Sequence, residues 1–213
     1  SIQYATQHFG DAINQPIFQP GQGQHFTDLY VQFKVYYSAG FDLSSRPKQL
    51  IIGTEDGSRH DATCCNPWVS HYVMIYPPGP YWATIAEANA KQATSGQFAG
   101  MHMNRSGYSG SNPFITQTAR WYTVEVRRRL NDVGQRNGIF QMWIDCTLIA
   151  EYTNVLYRVP FDGTFGSDMN YGTNFVMISD YMGGGSTRNQ SVFYDDFRFS
   201  TTPIGSASQL PSA

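Results

Sequence analysis

The residues that carry chemistry in this sequence stand at alternate positions in two stretches. In WYTVEVRRRLNDVGQRNGIFQMWIDCTLIAEY, from Trp121 to Tyr152, Thr123, Glu125, Arg127 and Arg129 alternate with Tyr122, Val124, Val126, Arg128 and Leu130. Beyond a polar turn at 131–138, Gln141, Trp143 and Asp145 alternate with Phe140, Met142 and Ile144. In DLYVQFKVYY, Tyr30, Gln32, Lys34 and Tyr36 alternate with Leu29, Val31, Phe33, Val35 and Tyr37. Guanidinium and ammonium groups hold anions, amides donate and accept, and an indole offers a flat apolar face. Placing such a set on one sheet face is costly unless that face is wet or binds something polar.

Strands must position these residues, because side chains at i, i+2 and i+4 share a face only on a strand. Asp28 to Tyr37 alternates without a break. Trp121 to Tyr152 reads as a hairpin of Tyr122–Leu130 and Ile139–Ile149. Ser1 to Phe9 reads as an edge strand, and Lys48–Gly53, Trp68–Tyr76, Tyr152–Arg158, Asn174–Met182 and Ser191–Ser200 as further strands. Met101–Asn104 adds a short one. Thr84 to Gln92, TIAEANAKQ, is Ala-rich and predicts one short helix. The sum is about nine strands joined by long polar loops, an antiparallel sandwich with one dry face per sheet. One domain over 1–205 is expected, with 206–213 as a Ser/Pro-rich tail or linker and a first strand that continues upstream of Ser1.

Composition narrows the class. The chain has 213 residues, 14% charged and 15% aromatic, with a net charge of −2. That balance excludes a basic nucleic-acid footprint. Arg127, Arg128 and Arg129 split between two faces. No apolar stretch approaches the roughly 20 residues of a membrane helix, and there is no internal repeat. Low charge with abundant Tyr, Thr, Ser, Asn and Gly fits an extracellular or periplasmic, secreted protein. Three cysteines, Cys64, Cys65 and Cys146, leave two readings open: one bridge from Cys64 or Cys65 to Cys146, or three reduced thiols. They make a poor zinc site without nearby His, so no metal ligand is assigned. Asp195 and Asp196 are adjacent, so one should point inward and hold loop backbone or a structural calcium ion.

Several segments resemble one group of proteins. DLYVQFKVYYSAGFD followed by KQLIIG, the pair WYTVEVRRRLN and NGIFQMWIDCTLI, and SVFYDDFRFSTTPIG are similar to concanavalin A-like jelly rolls among the polysaccharide lyases (alginate and glucuronan lyases) and their relatives. Cys146 stands where that group usually has Gly in a W-x-D-G turn. The resemblance spans Asp28 to Gly205 and implies the fold. The Glu-x-Asp-x-x-Glu strand of jelly-roll hydrolases, which sets two carboxylates on one face, is absent. So are the Gln-Ile-His and Tyr-Phe-Lys-x-Gly motifs of one alginate lyase family.

The resemblance implies β-elimination on an acidic polysaccharide. A cation or amide neutralises the uronate carboxylate, a base removes the adjacent proton, and an acid protonates the leaving oxygen. Lys, Arg, His and Tyr serve these roles in such lyases. The catalytic candidates here are His71, His102, Arg127 and Tyr30. The substrate-binding candidates are Lys34, Gln32, Tyr36, Asn104, Arg129, Gln141 and Trp143, with Trp143 stacking on a pyranose. Tyr36 and Tyr72 are further acid or base candidates, although His71 and Tyr72 lie on opposite faces of one strand. The bland readings are a structural histidine, an ion pair of Glu125 with Arg127 or Arg129, a surface lysine and a core Trp143. Two other functions stay open. One is a non-catalytic carbohydrate-binding module. The other is a structural subunit of a surface, filament or virion, as a homo-oligomer or larger secreted assembly.

Overall fold

The computed structural model describes residues 4–8, 26–55, 68–76, 81–88, 116–158, 172–173, 175–179, 182 and 188–205. Its strands are β1 (Tyr4–His8), β2 (Asp28–Tyr37), β3 (Lys48–Glu55), β4 (Trp68–Tyr76), β5 (Tyr81–Ala88), β6 (Trp121–Arg129), β7 (Gly138–Ile144), β8 (Thr147–Val155), β9 (Phe175–Ser179) and β10 (Val192–Ser200). They form two five-stranded sheets, ordered β1-β9-β3-β4-β5 and β10-β2-β6-β7-β8. Every strand pairing is antiparallel. The expected edge strand near the start of the chain is β1, which among the described residues pairs with β9 alone.

Alternation decides which side of each strand is dry. Leu29, Val31, Phe33, Val35 and Tyr37 of β2 enter the core between the sheets, with Tyr122, Val124 and Val126 of β6 and Phe140, Met142 and Ile144 of β7. Leu50, Ile52, Val73, Ile75, Trp82 and Val176 meet them from the other sheet. Each fully buried aliphatic or aromatic side chain contributes about 1.5–3 kcal/mol. Trp82 ties the layers, with its ring 6.3 Å from Tyr37 and 5.6 Å from Tyr122.

Three sequence expectations change. Thr84 to Ala88 is strand, not helix: β5 pairs with β4 over the whole run from Val69↔Ala88 to Tyr76↔Tyr81. A full ladder outweighs a local preference that amounts to tenths of a kcal/mol per residue. Residues 89–92 and the expected strand Met101–Asn104 lie outside the described residues. Among the described residues the helical element is a single 3-10 turn, Leu43–Ser45, whose Ser44 N–H is capped by Asp42 Oδ1 at 3.1 Å.

The stretch 139–149 is not one strand. It breaks after Ile144, and Asp145 and Cys146 make a two-residue hairpin turn with φ of 47° and 65°. Positive φ at both central positions is the geometry that favours Asp-Gly. The Asp145 carboxylate anchors the turn, accepting from Thr123 N at 2.8 Å and from Arg120. Cys146 is exposed and carries the left-handed backbone that glycine adopts without a Cβ clash. Cys146→Gly is therefore expected to stabilise the fold by about 1 kcal/mol, seen as a rise in the thermal midpoint. The bridge from Cys64 or Cys65 falls outside the described residues.

Neither Asp195 nor Asp196 points inward. A register shift between Asp195 and Arg198 and a φ of 51° at Asp196 make a bulge that turns both outward. Asp196 pairs with Lys34, and this hydrogen bond holds its carboxyl below the ordinary aspartate value. A bulge with charges is a common way to blunt an edge strand, and β10 is an edge.

Candidate functional site

The outer face of the β10-β2-β6-β7-β8 sheet collects most of the candidate residues. Register places Tyr30 opposite Arg127, Gln32 opposite Glu125 and Lys34 opposite Thr123. On the next strand, Trp143 stands opposite Glu125 and Gln141 opposite Arg127. The alternation read from the sequence therefore brings Tyr30, Gln32, Lys34, Tyr36, Arg127, Arg129, Gln141 and Trp143 to one face.

Tertiary contacts then occupy much of that face. The chain after β10 crosses it. Ile204 and Leu148 pack against the pair Tyr30 and Trp143, which are 5% and 1% exposed. The buried Glu125 carboxylate accepts from Gln32 Nε2 at 3.0 Å and from Ile204 N and Gly205 N, each at 3.2 Å. Arg127 grips Asp28 through Nε at 3.0 Å and Nη2 at 2.7 Å. That bond raises its pKa above the ordinary arginine value. Gln141 accepts from Arg127 Nη1 at 3.3 Å and donates to Glu151 at 2.6 Å. Arg129 Nη2 donates to Asn137 O at 3.0 Å. Burial, partly offset by Arg127, raises the Tyr30 pKa, which disfavours the phenolate a base requires. Thus Arg127 is held by a carboxylate of its own chain, and Tyr30 and Trp143 are covered. The segment after β10 is held on this face at Ile204 and Gly205.

His71 lies elsewhere. It points into the space between the sheets, fully buried, its ring stacked 4.1 Å from Phe140 and edge-on to Tyr157 at 5.4 Å. Neither ring nitrogen has a hydrogen-bond partner among the described residues. This is a core histidine, remote from both outer faces. Arg128 is buried beside it, donating to Thr173 Oγ1 at 2.6 Å with its guanidinium 4.5 Å from the Tyr157 ring centre. Burial lowers the Arg128 pKa to about 10. Burial first, and the Arg128 charge second, hold the His71 imidazole well below 6.5. The unfolded chain then binds the extra proton as pH falls, so this group's contribution to stability is complete above about 6.5 and is lost below it. The expected loss is about 1.4 kcal/mol per pH unit. Urea unfolding at successive pH values checks the slope, and His71→Phe should flatten it. His102 and Asn104 lie outside the described residues.

The outer face of the other sheet carries a pair that sequence reasoning did not combine. Lys48 opens β3 and Tyr72 lies in β4, where Ile51 pairs with Tyr72 and Lys48 with Met74. A register irregularity between Lys48 and Leu50 turns Lys48 to the face opposite Leu50 and Ile52. Its ammonium sits 4.0 Å from the Tyr72 ring centre. Ile51 and Met177 pack with Tyr72 as an apolar floor. Lys48 is half-buried and Tyr72 is 5% exposed. Tyr72 was visible in the sequence as an acid or base candidate. Lys48 was not, because its signal is only a cation at the start of a strand whose neighbour is fixed by pairing. Among the described residues no three His, Cys, Asp or Glu side chains gather to hold a metal ion, and no helix is long and apolar enough to cross a membrane.

No protein-family model and no curated protein matches the chain. Solved structures do. An alginate lyase, Aly36B, in a mutant form bound to an alginate trisaccharide, superposes with a TM-score of 0.55 at 13% identity, over 92% of this chain and 80% of that one. The PL-14 alginate lyase of Aplysia kurodai gives 0.57 at 12% identity, over 93% and 82%. The alginate lyase vAL-1 from a Chlorella virus gives 0.52 at 14% identity, over 93% and 84%. The chain is an all-β, concanavalin-like jelly roll of the kind found in these lyases.

Proposed function

We propose that this protein is a secreted polysaccharide lyase that cleaves an acidic polysaccharide by β-elimination, at the outer face of the β1-β9-β3-β4-β5 sheet. The observation that carries the reading is the Lys48–Tyr72 pair: a cation and a phenol held together on a sheet face of a jelly roll.

The chemistry follows from the two groups. The Lys48 ammonium pairs with the uronate carboxylate and stabilises the negative charge that develops when the adjacent carbon loses its proton. The electron pair released there forms the carbon–carbon double bond, and the bond to the glycosidic oxygen breaks. The Tyr72 side-chain oxygen, on the same face, takes the proton from that carbon as the base and then returns it to the leaving glycosidic oxygen as the acid, so the proton moves from carbon to oxygen with no other acceptor needed. The apolar floor of Ile51 and Met177 limits water around the ammonium, which strengthens its interaction with a carboxylate.

The test is the ultraviolet absorbance of the unsaturated uronate product on alginate, glucuronan, pectate and glycosaminoglycans, with and without calcium. A rise on one of them supports the reading and names the substrate. A flat trace on all of them overturns it.

A further inference from the structure

A row of aromatic rings crosses the outer face of the β10-β2-β6-β7-β8 sheet, away from the Ile204 strap. Phe193 of β10 pairs with Tyr36 of β2, and Tyr36 pairs with Trp121 of β6. The Tyr36 ring centre is 5.4 Å from Trp121 and 5.9 Å from Phe193, with interplanar angles of 47° and 61°. The two outer rings are 46% and 51% exposed. Cross-strand aromatic pairing stabilises a sheet. That accounts for the middle ring, but it leaves unexplained why a Trp and a Phe stand half in water at either end.

The surroundings of the row decide its ligand. It is one residue wide and bordered by polar groups: Thr123, the Lys34–Asp196 pair and the Arg120–Asp145 pair. Two half-exposed rings offer far less than the roughly 800 Å² per partner of a stable protein interface. The bordering cations each face a carboxylate, so the strip has little net charge and its attraction lies in its ring faces. Successive ring centres are 5.4 and 5.9 Å apart, a step comparable to one pyranose in an extended chain. Pyranoses present an apolar C–H face for stacking and hydroxyls at the edge for polar neighbours.

We propose that Phe193, Tyr36 and Trp121 form a second glycan-binding strip, which takes pyranose rings of the polysaccharide on the side of the sandwich opposite Lys48 and Tyr72. The proposal rests on the polysaccharide reading above, but not on catalysis. It places the polymer on two faces, one for reaction and one for retention.

The experiment is retention of the full chain in native gels containing alginate, glucuronan or neutral mannan, for the wild type, Trp121→Ala/Phe193→Ala and Tyr72→Phe. The expected result is retention by at least one polymer, with affinity lowered at least about tenfold in the double variant and kept in Tyr72→Phe. Retention should persist at high salt, because the flanking charges are compensated. Trp121→Phe, which keeps an aromatic face, should restore most of the binding in a Phe193 background. Equal retention of wild type and double variant overturns the strip, as does no retention on any polymer. A wild-type dimer in sedimentation that the double variant loses also overturns it, in favour of contact between copies. If retention falls in the double variant while no polymer is cleaved, the strip stands and the lyase reading fails. If cleavage proceeds and retention is unchanged, the strip fails and the lyase reading stands.

Discussion

Lys48→Ala is expected to lower kcat/KM on the cleaved polymer by about 10²- to 10³-fold, the usual consequence of removing one preorganised charge from a developing anion. Tyr72→Phe is expected to cost about 10²- to 10⁴-fold, since it deletes the hydroxyl and leaves the ring. The two losses should not add, because both groups act on one transition state. Partition between kinetic constants tests the roles. Loss of charge stabilisation lowers kcat, whereas a lysine that only binds the carboxylate in the ground state raises KM with kcat unchanged. The competing account is a structural cation–π contact, with Nζ 4.0 Å from the ring centre. Such a contact is worth about 0.5–2 kcal/mol, rising as the pair is desolvated, and its removal would leave turnover intact. Full activity in both variants would sink the assignment of this face.

Glu125→Ala should produce the largest loss of stability on the opposite face, about 3 kcal/mol. The carboxylate is fully buried and takes the Gln32 amide and the Ile204 and Gly205 amides. Bonds to a charged acceptor are worth about 1.5–3 kcal/mol each, and truncation leaves several donors without this acceptor. Relaxation of the strap into water recovers part of that cost, so the net stays below the sum. In a chain of this length the thermal midpoint should fall by roughly 10 °C. The strap should also release, because its two amides bind Glu125 while its apolar contact is Ile204 on Tyr30 and Trp143. Gly205 sits so close that a Cβ there would lie 2.9 Å from Gln32 Nε2. Thermal unfolding and protease nicking within 201–205 read the two effects together. A variant within about 0.5 kcal/mol of wild type, with an unnicked strap, would show that Glu125 does not hold it.

Some features were legible because their cause is local. Tyr30, Gln32, Lys34 and Tyr36 share a face because strand side chains alternate, and that holds for any partner β2 finds. The same rule separated His71 from Tyr72. The quoted segments around Asp28, Trp121 and Ser191 implied the jelly roll that the superpositions show. The helix expected over Thr84–Gln92 failed at Thr84–Ala88 for the opposite reason. Ala and Glu favour helix only weakly, and pairing with β4 is a long-range effect absent from TIAEA itself. The inward Asp of the 195–196 pair failed because a bulge cancels alternation at one residue, and Asp196 has that backbone.

The candidate site shows the same division. By itself the sequence determined the strands, the dry and polar side of each, the class of fold and a supply of Arg, Lys, Tyr and aromatic residues. Period-two patterning and composition are enough for that, since both act over a few residues. Only the tertiary structure decided which polar groups are already engaged. Asp28 reaches Arg127 across 99 positions and Gly205 reaches Glu125 across 80. His71 faces Phe140 and not solvent, and Lys48 meets Tyr72 through the register of β3 on β4. A side chain's freedom to bind a ligand depends on what else lies within a few ångströms, and chain segments far apart in sequence set that.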